Sequence, residues 1–343
     1  MTSLVKENLA SPRDETKEDP TRKGWSNSSA PRGDREIWMA YVRSWVPPGC
    51  IRLAQRALDF VRVAPWEYLP KGWRSDTPIR GWNVASVVET QKLVWRKYAE
   101  SLAGSQPLGI NHENGRKPNS GDIRDHNTLI SYAYALALAA RQKQRLSILD
   151  WGGGIGHYYP LSRAVLPGVD IEYYCHDVPL LCQAGRELLP DAHFLEQPTE
   201  CFSRRYDFVL ASSSAWYEED WRMLLNHLSA VADPYLYITR MIFVERAASY
   251  VAIQRPSSFG YQTEYLCWIL NRHEFLAHVL SSRMELVREF LIYDAQHIHR
   301  APEQGDYRGF LFRRQEASRQ DGEQERFQGT SSISRNMSKG VTP

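Results

Sequence analysis

The sequence predicts an α/β chain built on a doubly wound, mostly parallel sheet, and three observations predict it. From Ser147 onward, short apolar runs with strand character alternate with amphipathic runs of helical period, the pattern of a parallel sheet covered by helices on both faces. The first strand-like run leads into a dense glycine turn, "ILDWGGGIGHYY", residues 148–159. The last two, "MELVREFLIY" and "YRGFLFRR", are joined by a polar loop without a helix, which calls for an antiparallel pair at one edge.

Residues 1–35 interleave acidic and basic side chains with almost no apolar periodicity, so a disordered segment is expected. Residues 36–145 read as a helical accessory region that caps the substrate site. It contains "IWMAYVRSWV" and then "VASVVETQKLVWRKYAESLAG", where Val84, Val87, Val88, Gln91, Val94, Trp95 and Tyr98 mostly follow helical spacing. Gly104 is a suitable stop for that helix. "LGINHENGRKPNSGD" reads as a loop from its Gly, Asn and Pro content. "DHNTLISYAYALALAARQ" reads as a helix with Asp125 or Asn127 near its start.

Residues 146–314 form the expected α/β domain. Its strands are "LSILD", "VDIEYYCHD", "AHFLEQ", "YDFVLASSS", "YLYITRMIF" and the closing pair. Helices are expected from His157 to Val165, with Pro160 tolerated in the first turn, and at "PLLCQAGRELL", "EDWRMLLNHLSAVA" and "RHEFLAHVLSS". After the fifth strand an irregular stretch reaches Leu270, and its aromatic part, "AIQRPSSFGYQTEYLCW", is a candidate acceptor lid. Residues 315–343, rich in Ser, Gln, Arg and Gly, are expected to be a disordered tail.

Composition narrows the function classes. Apolar residues make up 43% and charged residues 24%, ordinary for a globular chain, and a net charge of +2 gives no basic surface for nucleic acid. Cys50, Cys175, Cys182, Cys201 and Cys267 are scattered without a CxxC pair. Neither a zinc site nor a disulfide framework is expected, and a reducing, cytoplasmic setting is. The N-terminus lacks the apolar core of a signal peptide. "LISYAYALALAA" has 12 residues, short of the roughly 20 that span a bilayer, so no integral membrane segment is expected. His297 and His299 form an HxH pair without a third ligand at metal spacing; a loop is expected there, and no metal.

A doubly wound sheet binds its ligands at the carboxyl ends of its strands, where Gly152, Gly153, Gly154 and Gly156 fall. A G-x-G-x-x-G dinucleotide fingerprint would need glycine at His157, and the GK[ST] ending of a P-loop is absent. The pattern is instead Asp150 followed by glycines at alternate positions, Gly152, Gly154 and Gly156. That suits S-adenosylmethionine (SAM), which has no phosphate and needs bare backbone for close approach, with Asp150 near its cationic methionine portion. Asp177 stands 21 residues after Gly156, matching the offset of about 20 at which an acid takes the ribose hydroxyls.

The pieces "ILDWGGGIGHYY", "CHDVPLLCQAGRELL", "YDFVLASSSAWYEEDW", "YITRMIF", "CWILNRHEFL" and "YRGFLFRR" resemble a family of class I SAM-dependent methyltransferases associated with bacterial surface-polysaccharide and related gene clusters. The resemblance runs from about residue 120 to 314. It implies a seven-stranded Rossmann-like sheet, SAM as cofactor, and O- or N-methylation of a small-molecule or saccharide acceptor. It also supports Ser212 and Ser213, at the end of the fourth strand, as contacts for the methionine moiety. Thr239 stands where the family tends to carry an aspartate before Arg240, which removes an acidic base from that position.

No motif singles out a catalytic residue; His157, Arg240 and Tyr217 are the candidates. His157 is a possible proton acceptor in the first turn after the glycines, against a packing role at the helix start. Arg240, among apolar neighbours, needs an acid such as Asp150 or an anionic substrate. Tyr217 is expected to wall the acceptor pocket. Trp38, Trp45, Trp66, Trp73, Trp82 and Trp95 are read as packing rather than as sugar platforms. Two other functions predict different ligand behaviour: a catalytically inactive methyltransferase-like binding or scaffold protein binds SAM without turnover, and a nicotinamide oxidoreductase binds NAD.

Overall fold

Seven strands build the doubly wound sheet. They are β2 (Arg145–Trp151), β3 (Asp170–His176), β4 (His193–Leu195), β5 (Tyr206–Ser212), β6 (Ala232–Val244), β9 (Met284–Tyr293) and β10 (Asp306–Arg314). The computed structural model describes residues 64–73, 79–105, 108–109, 112–113, 122–294 and 297–316. The expectations for residues 1–35, for "IWMAYVRSWV", for most of the Gly/Asn-rich loop and for the tail beyond 316 lie outside the described residues.

Across these seven strands the order is β4-β3-β2-β5-β6-β10-β9, within a continuous sheet of ten described strands. The pairs β2–β3, β2–β5, β3–β4 and β5–β6 are parallel, and β10 runs antiparallel to both β6 and β9. The chain builds outward from β2 on one side, then returns to continue from β5 on the other. The strand order therefore reverses between β2 and β5, where such sheets open a crevice for ligands.

Alternation along the strands feeds two cores. Leu149, Val209, Leu236 and Ile238 pack with Trp221, Leu225 and Leu228 of α6 (Trp221–Val231) and Phe275 of α7 (Arg272–Ser281). On the opposite face Ile148, Phe208, Leu210 and Tyr237 pack with Leu129, Tyr132 and Leu136 of α2 (Ile123–Ala139) and Leu161 of α3 (Tyr158–Val165). Burial on both faces explains why these strands read as continuous apolar runs. Each fully buried aliphatic side chain contributes about 1.5–3 kcal/mol. Helix starts follow capping chemistry: Asp220 accepts from Met223 N, and Asn271 from His273 N and Glu274 N. The cap of α2 is Asp122, which accepts from Arg124 N at 2.8 Å, so this helix begins ahead of Asp125 and Asn127.

Two sequence expectations are corrected. The stretch after β6 is not irregular: β7 (Tyr250–Gln254) and β8 (Tyr265–Asn271) form an antiparallel pair, and β8 joins β6 in parallel through Phe243/Leu270 and Val244/Asn271. Every residue of β7 is buried, so no alternation advertises it. The region 36–145 is not purely helical either, because β1 (Trp66–Leu69) pairs antiparallel with β7. Four residues are too few to show a period. The HxH segment backs β1: His299 N donates to Trp66 O and Tyr68 N to His299 O. Among the described residues no three His, Cys, Asp or Glu side chains are grouped to hold a metal. No described helix is long and apolar enough to cross a membrane, and the four described cysteines are free and buried.

Helix α4 (Pro179–Leu188) presses Gly185 against Phe194 of β4, where a Cβ would lie 2.1 Å from the ring. Helix propensity alone predicts that Gly185→Ala stabilises by up to about 1 kcal/mol. Packing predicts the opposite sign, a loss of about 1–3 kcal/mol. Urea unfolding of the variant is expected to show the loss.

Candidate functional site

Strand β2 ends at Trp151, held between His176 of β3 and Ala211 of β5. The chain must then turn into α3 across both neighbouring strand ends. Gly152 adopts φ +70°, and a Cβ there would fall 2.3 Å from the Cβ of Ser214. At Gly153 a Cβ would fall 2.4 Å from Asp150 Oδ2. The turn is glycine because its inner side has no volume for a side chain. Gly152 N and Gly153 N both donate to His176 O, at 2.8 and 3.2 Å.

Asp177, at the end of β3, accepts from Gly154 N and from Val178 N, each at 2.7 Å. It lines the cleft, and burial pushes its pKa up to about 6 against those two hydrogen bonds. Asp150 does not line the cleft. It is fully buried beneath Gly153, with Tyr173 Oη donating to its Oδ2 and no partner for Oδ1 among the described residues. Burial raises its pKa to about 7, opposed by the Tyr173 hydrogen bond.

The cleft runs along the carboxyl ends of β2, β3 and β5 and the part of β6 that carries Arg240, the side on which doubly wound sheets bind their ligands. Of the expected cofactor residues it gathers Gly152, Gly153, Gly154, Asp177, Ser212 and Ser213; Gly156, with φ +91°, lies behind it against Leu189 and Phe194. Ser212 Oγ and Tyr158 Oη share a 2.7 Å hydrogen bond. Ser213 has φ +56°, and its N–H donates to Thr239 O at 2.9 Å. Tyr217, on a 3₁₀ turn (Ala215–Tyr217), lines the cleft and donates to Gln254 Oε1 at 2.7 Å.

Arg240 reaches the cleft because β6 bulges. Arg308 pairs with Met241 and Phe310 with Ile238, so Thr239 and Arg240 together oppose the single Gly309. Such a bulge re-aims a side chain, and Arg240 takes φ +58°. Its partner is Glu113, not Asp150: Nη1 lies 3.2 Å from Oε1 and Nη2 2.6 Å from Oε2. The arginine side chain is only 9% exposed, so stranding the guanidinium would cost about 3–5 kcal/mol.

His157 also lines the cleft but is 2% exposed, and its Nε2 has no partner among the described residues. Its ring packs against His112, Trp95 and Tyr98 at centroid distances of 4.4, 5.3 and 5.4 Å. Burial, then His112, holds its pKa well below the usual histidine range. His112 is lowered likewise by burial and Arg240. Both rings are therefore neutral at pH 7, and the 3.6 Å contact of His112 with Glu113 is not an ion pair.

Sequence reasoning missed several lining residues. His112 and Glu113 sit in a segment legible only as loop. The demand of Arg240 for an acid was a usable signal, but it did not say which acid. Trp82, read as packing, lines the cleft and stacks on Tyr265 at 4.1 Å with planes 7° apart. Gln91, read as a helix-period position, comes from α1 (Ala85–Ala103) and accepts from Ile155 N at 3.3 Å.

No family model matches the sequence. No curated protein matches it. Among solved structures, the chain is similar to a SAM-dependent methyltransferase from Clostridium acetobutylicum, at 8% identity, covering 55% of this chain and 92% of the other with a TM-score of 0.37. It is also similar to the 1,6-didemethyltoxoflavin-N1-methyltransferase of Burkholderia thailandensis, at 14% identity, covering 71% and 94% with a TM-score of 0.38.

The buried carboxyl of Asp150 sets a pH dependence. Its folded pKa of about 7 lies above the ordinary 3.8, so the folded state binds more protons between those values and stability falls as pH rises through that window. Asp177, at about 6, acts in the same direction. Urea unfolding at pH 5 and pH 8 is expected to show the ligand-free protein less stable at pH 8 by a few kcal/mol. Asp150→Asn should remove the larger part of that difference, and an unchanged difference would refute the assignment.

Proposed function

We propose that the chain is a class I SAM-dependent methyltransferase that methylates an oxygen or nitrogen of a small-molecule or saccharide acceptor. The single observation that carries this reading is the clamp at the switch point: Asp177 binds Gly154 N while its carboxylate faces a cleft floored by the bare backbone of Gly152–Gly154. The residues present fit the cofactor. Side chains at Gly152 and Gly153 are sterically forbidden, so a ligand meets main chain there, and Asp177 retains lone pairs for ribose hydroxyls.

When bound, the cofactor supplies a methyl carbon on a cationic sulfur, which a nucleophilic oxygen or nitrogen displaces directly. The chain's contribution is alignment and exclusion of water. Trp82, Trp151 and Tyr217 wall the cleft, and Ser212 is held by Tyr158 at its floor. Arg240 stays protonated and cannot act as a base. Neutral His157 can accept a proton, yet its ring is packed among aromatic side chains. In this reading the described part of residues 36–145 caps the domain of residues 146–314, because Trp82, Gln91 and Glu113 all line the cleft. The four described cysteines, free and buried, suit a cytoplasmic setting. An association with polysaccharide synthesis rests on the sequence resemblance.

Thermal-shift titration tests the reading. A ligand at 100 times its Kd stabilises the native state by about 2.7 kcal/mol, so SAM and S-adenosylhomocysteine are expected to raise Tm, and NAD is not. Asp177→Ala should weaken the binding of both by about tenfold or more, the loss expected for a charge-assisted hydrogen bond. Equal shifts with NAD, or Asp177→Ala binding like the parent, would overturn it.

A further inference from the structure

The donor end of the cleft is accounted for by Asp177 and the glycine turn. At the other end, Arg240 is the only lysine or arginine among the described residues that line the cleft. The fold goes to some length to keep it there. A bulge in β6 breaks the pairing with β10, a non-glycine residue sits at φ +58°, and a guanidinium is taken out of water. Each of these costs free energy that a plain strand end would not. The guanidinium is satisfied in the bidentate manner in which arginine takes a carboxylate, but the carboxylate comes from Glu113. That residue lies in the connection between α1 and α2, outside any helix or strand, and its side chain is 20% exposed. Arg240, by contrast, is fixed in the central sheet. Next to the pair, His157 Nε2 is buried without a partner among the described residues.

We infer that Arg240 is the anchor for an acidic acceptor, and that Glu113 occupies the place of the acceptor's carboxylate until the acceptor displaces it. The exchange trades one bidentate carboxylate for another, so the guanidinium is never stranded and no covalent bond changes. Neutral His112 and His157 add no competing positive charge, so a single carboxylate satisfies this end of the cleft. An acceptor without a carboxylate leaves Glu113 in place and gains nothing from Arg240. The inference rests on the methyltransferase reading only in naming this the acceptor end.

The test uses the full chain loaded with S-adenosylhomocysteine and two probes that differ by one carboxylate, glucuronate and glucose, with benzoate and benzyl alcohol as a second such pair. Calorimetric titration is expected to give a preference of about tenfold for the carboxylate member of at least one pair, the size of a charge-assisted bidentate contact. Arg240→Gln should abolish the preference while leaving affinity for S-adenosylhomocysteine unchanged. Glu113→Gln should widen it several-fold, because the internal competitor is weakened; this second variant keeps the test decisive if Arg240→Gln fails to fold. The inference is overturned if neither pair shows a carboxylate preference in the parent and Glu113→Gln proteins, or if the preference survives Arg240→Gln. It is also overturned if Arg240→Gln loses S-adenosylhomocysteine, which would assign the arginine to the donor. Failure of the parent chain to bind S-adenosylhomocysteine would instead remove the methyltransferase reading, and the carboxylate preference is then read on the unloaded chain.

Discussion

The backbone between Trp151 and His157 has to cross two strand ends with no side-chain volume beneath it, and the rest of the cleft follows from that crossing. Ser214 presses on Gly152 from one side, and Asp150 and Cys175 press on Gly153 from below. The turn therefore lies flat, pinned by His176 O on one side and Asp177 on the other. A flat turn seals Asp150 from water and gives it Tyr173 as its hydrogen-bond donor. The same turn leaves its outer surface as main chain alone. One steric fact thus yields both a carboxyl with a raised pKa under the floor and a floor that a ligand can approach closely.

The other half of the cleft obeys a different constraint, the cost of burying charge. A guanidinium aimed from a central strand into the cleft must be matched, and Asp150 does not match it, being held by Tyr173 beneath the glycine turn. The match comes from Glu113, 127 residues away in sequence. Pairing with Arg240 ties Glu113 to the sheet, and the rings of the neighbouring His112, of His157 and of Tyr98 pack against one another. The glycine-floored half of the cleft is thus shaped by sterics and the far half by electrostatics.

This division also explains what was legible in the sequence. The seven core strands and the longer helices between them could be read because their signals are local: apolar runs, proline at helix starts, glycine where a turn admits nothing else. The position of Asp177 beside the glycine turn was readable for the same reason, since its distance from the glycines is set by one strand-helix-strand unit. Asp150 was recognised as part of the pattern, but its direction was not. Whether a strand-end carboxylate faces the ligand or the interior depends on Tyr173 of the neighbouring strand, which no local window contains. Arg240 was legible as a buried charge in need of an acid, whereas Glu113 was hidden in loop composition. The bulge that aims Arg240 exists only in the register of β10 against β6. The strands β1 and β7 were missed because one is too short and the other too uniformly buried to show a period.

The outer wall of the cleft, Trp82 and Tyr217, with Tyr265 behind it, draws on three separate parts of the chain. Trp82 precedes α1, Tyr217 follows β5, and Tyr265 begins β8, yet Trp82 stacks on Tyr265 and meets Tyr217 edge-on at 5.1 Å. Tyr217 in turn bonds to Gln254 of β7. The three-stranded addition of β1, β7 and β8 is therefore what positions the aromatic wall, while the floor belongs to the central sheet. Changes to the floor meet the steric limits at Gly152 and Gly153 at once. Changes to the wall alter ring shape and reach at the periphery of the core. The floor is therefore fixed by the packing limits of the central sheet, whereas the wall is set by contacts with the appended strands.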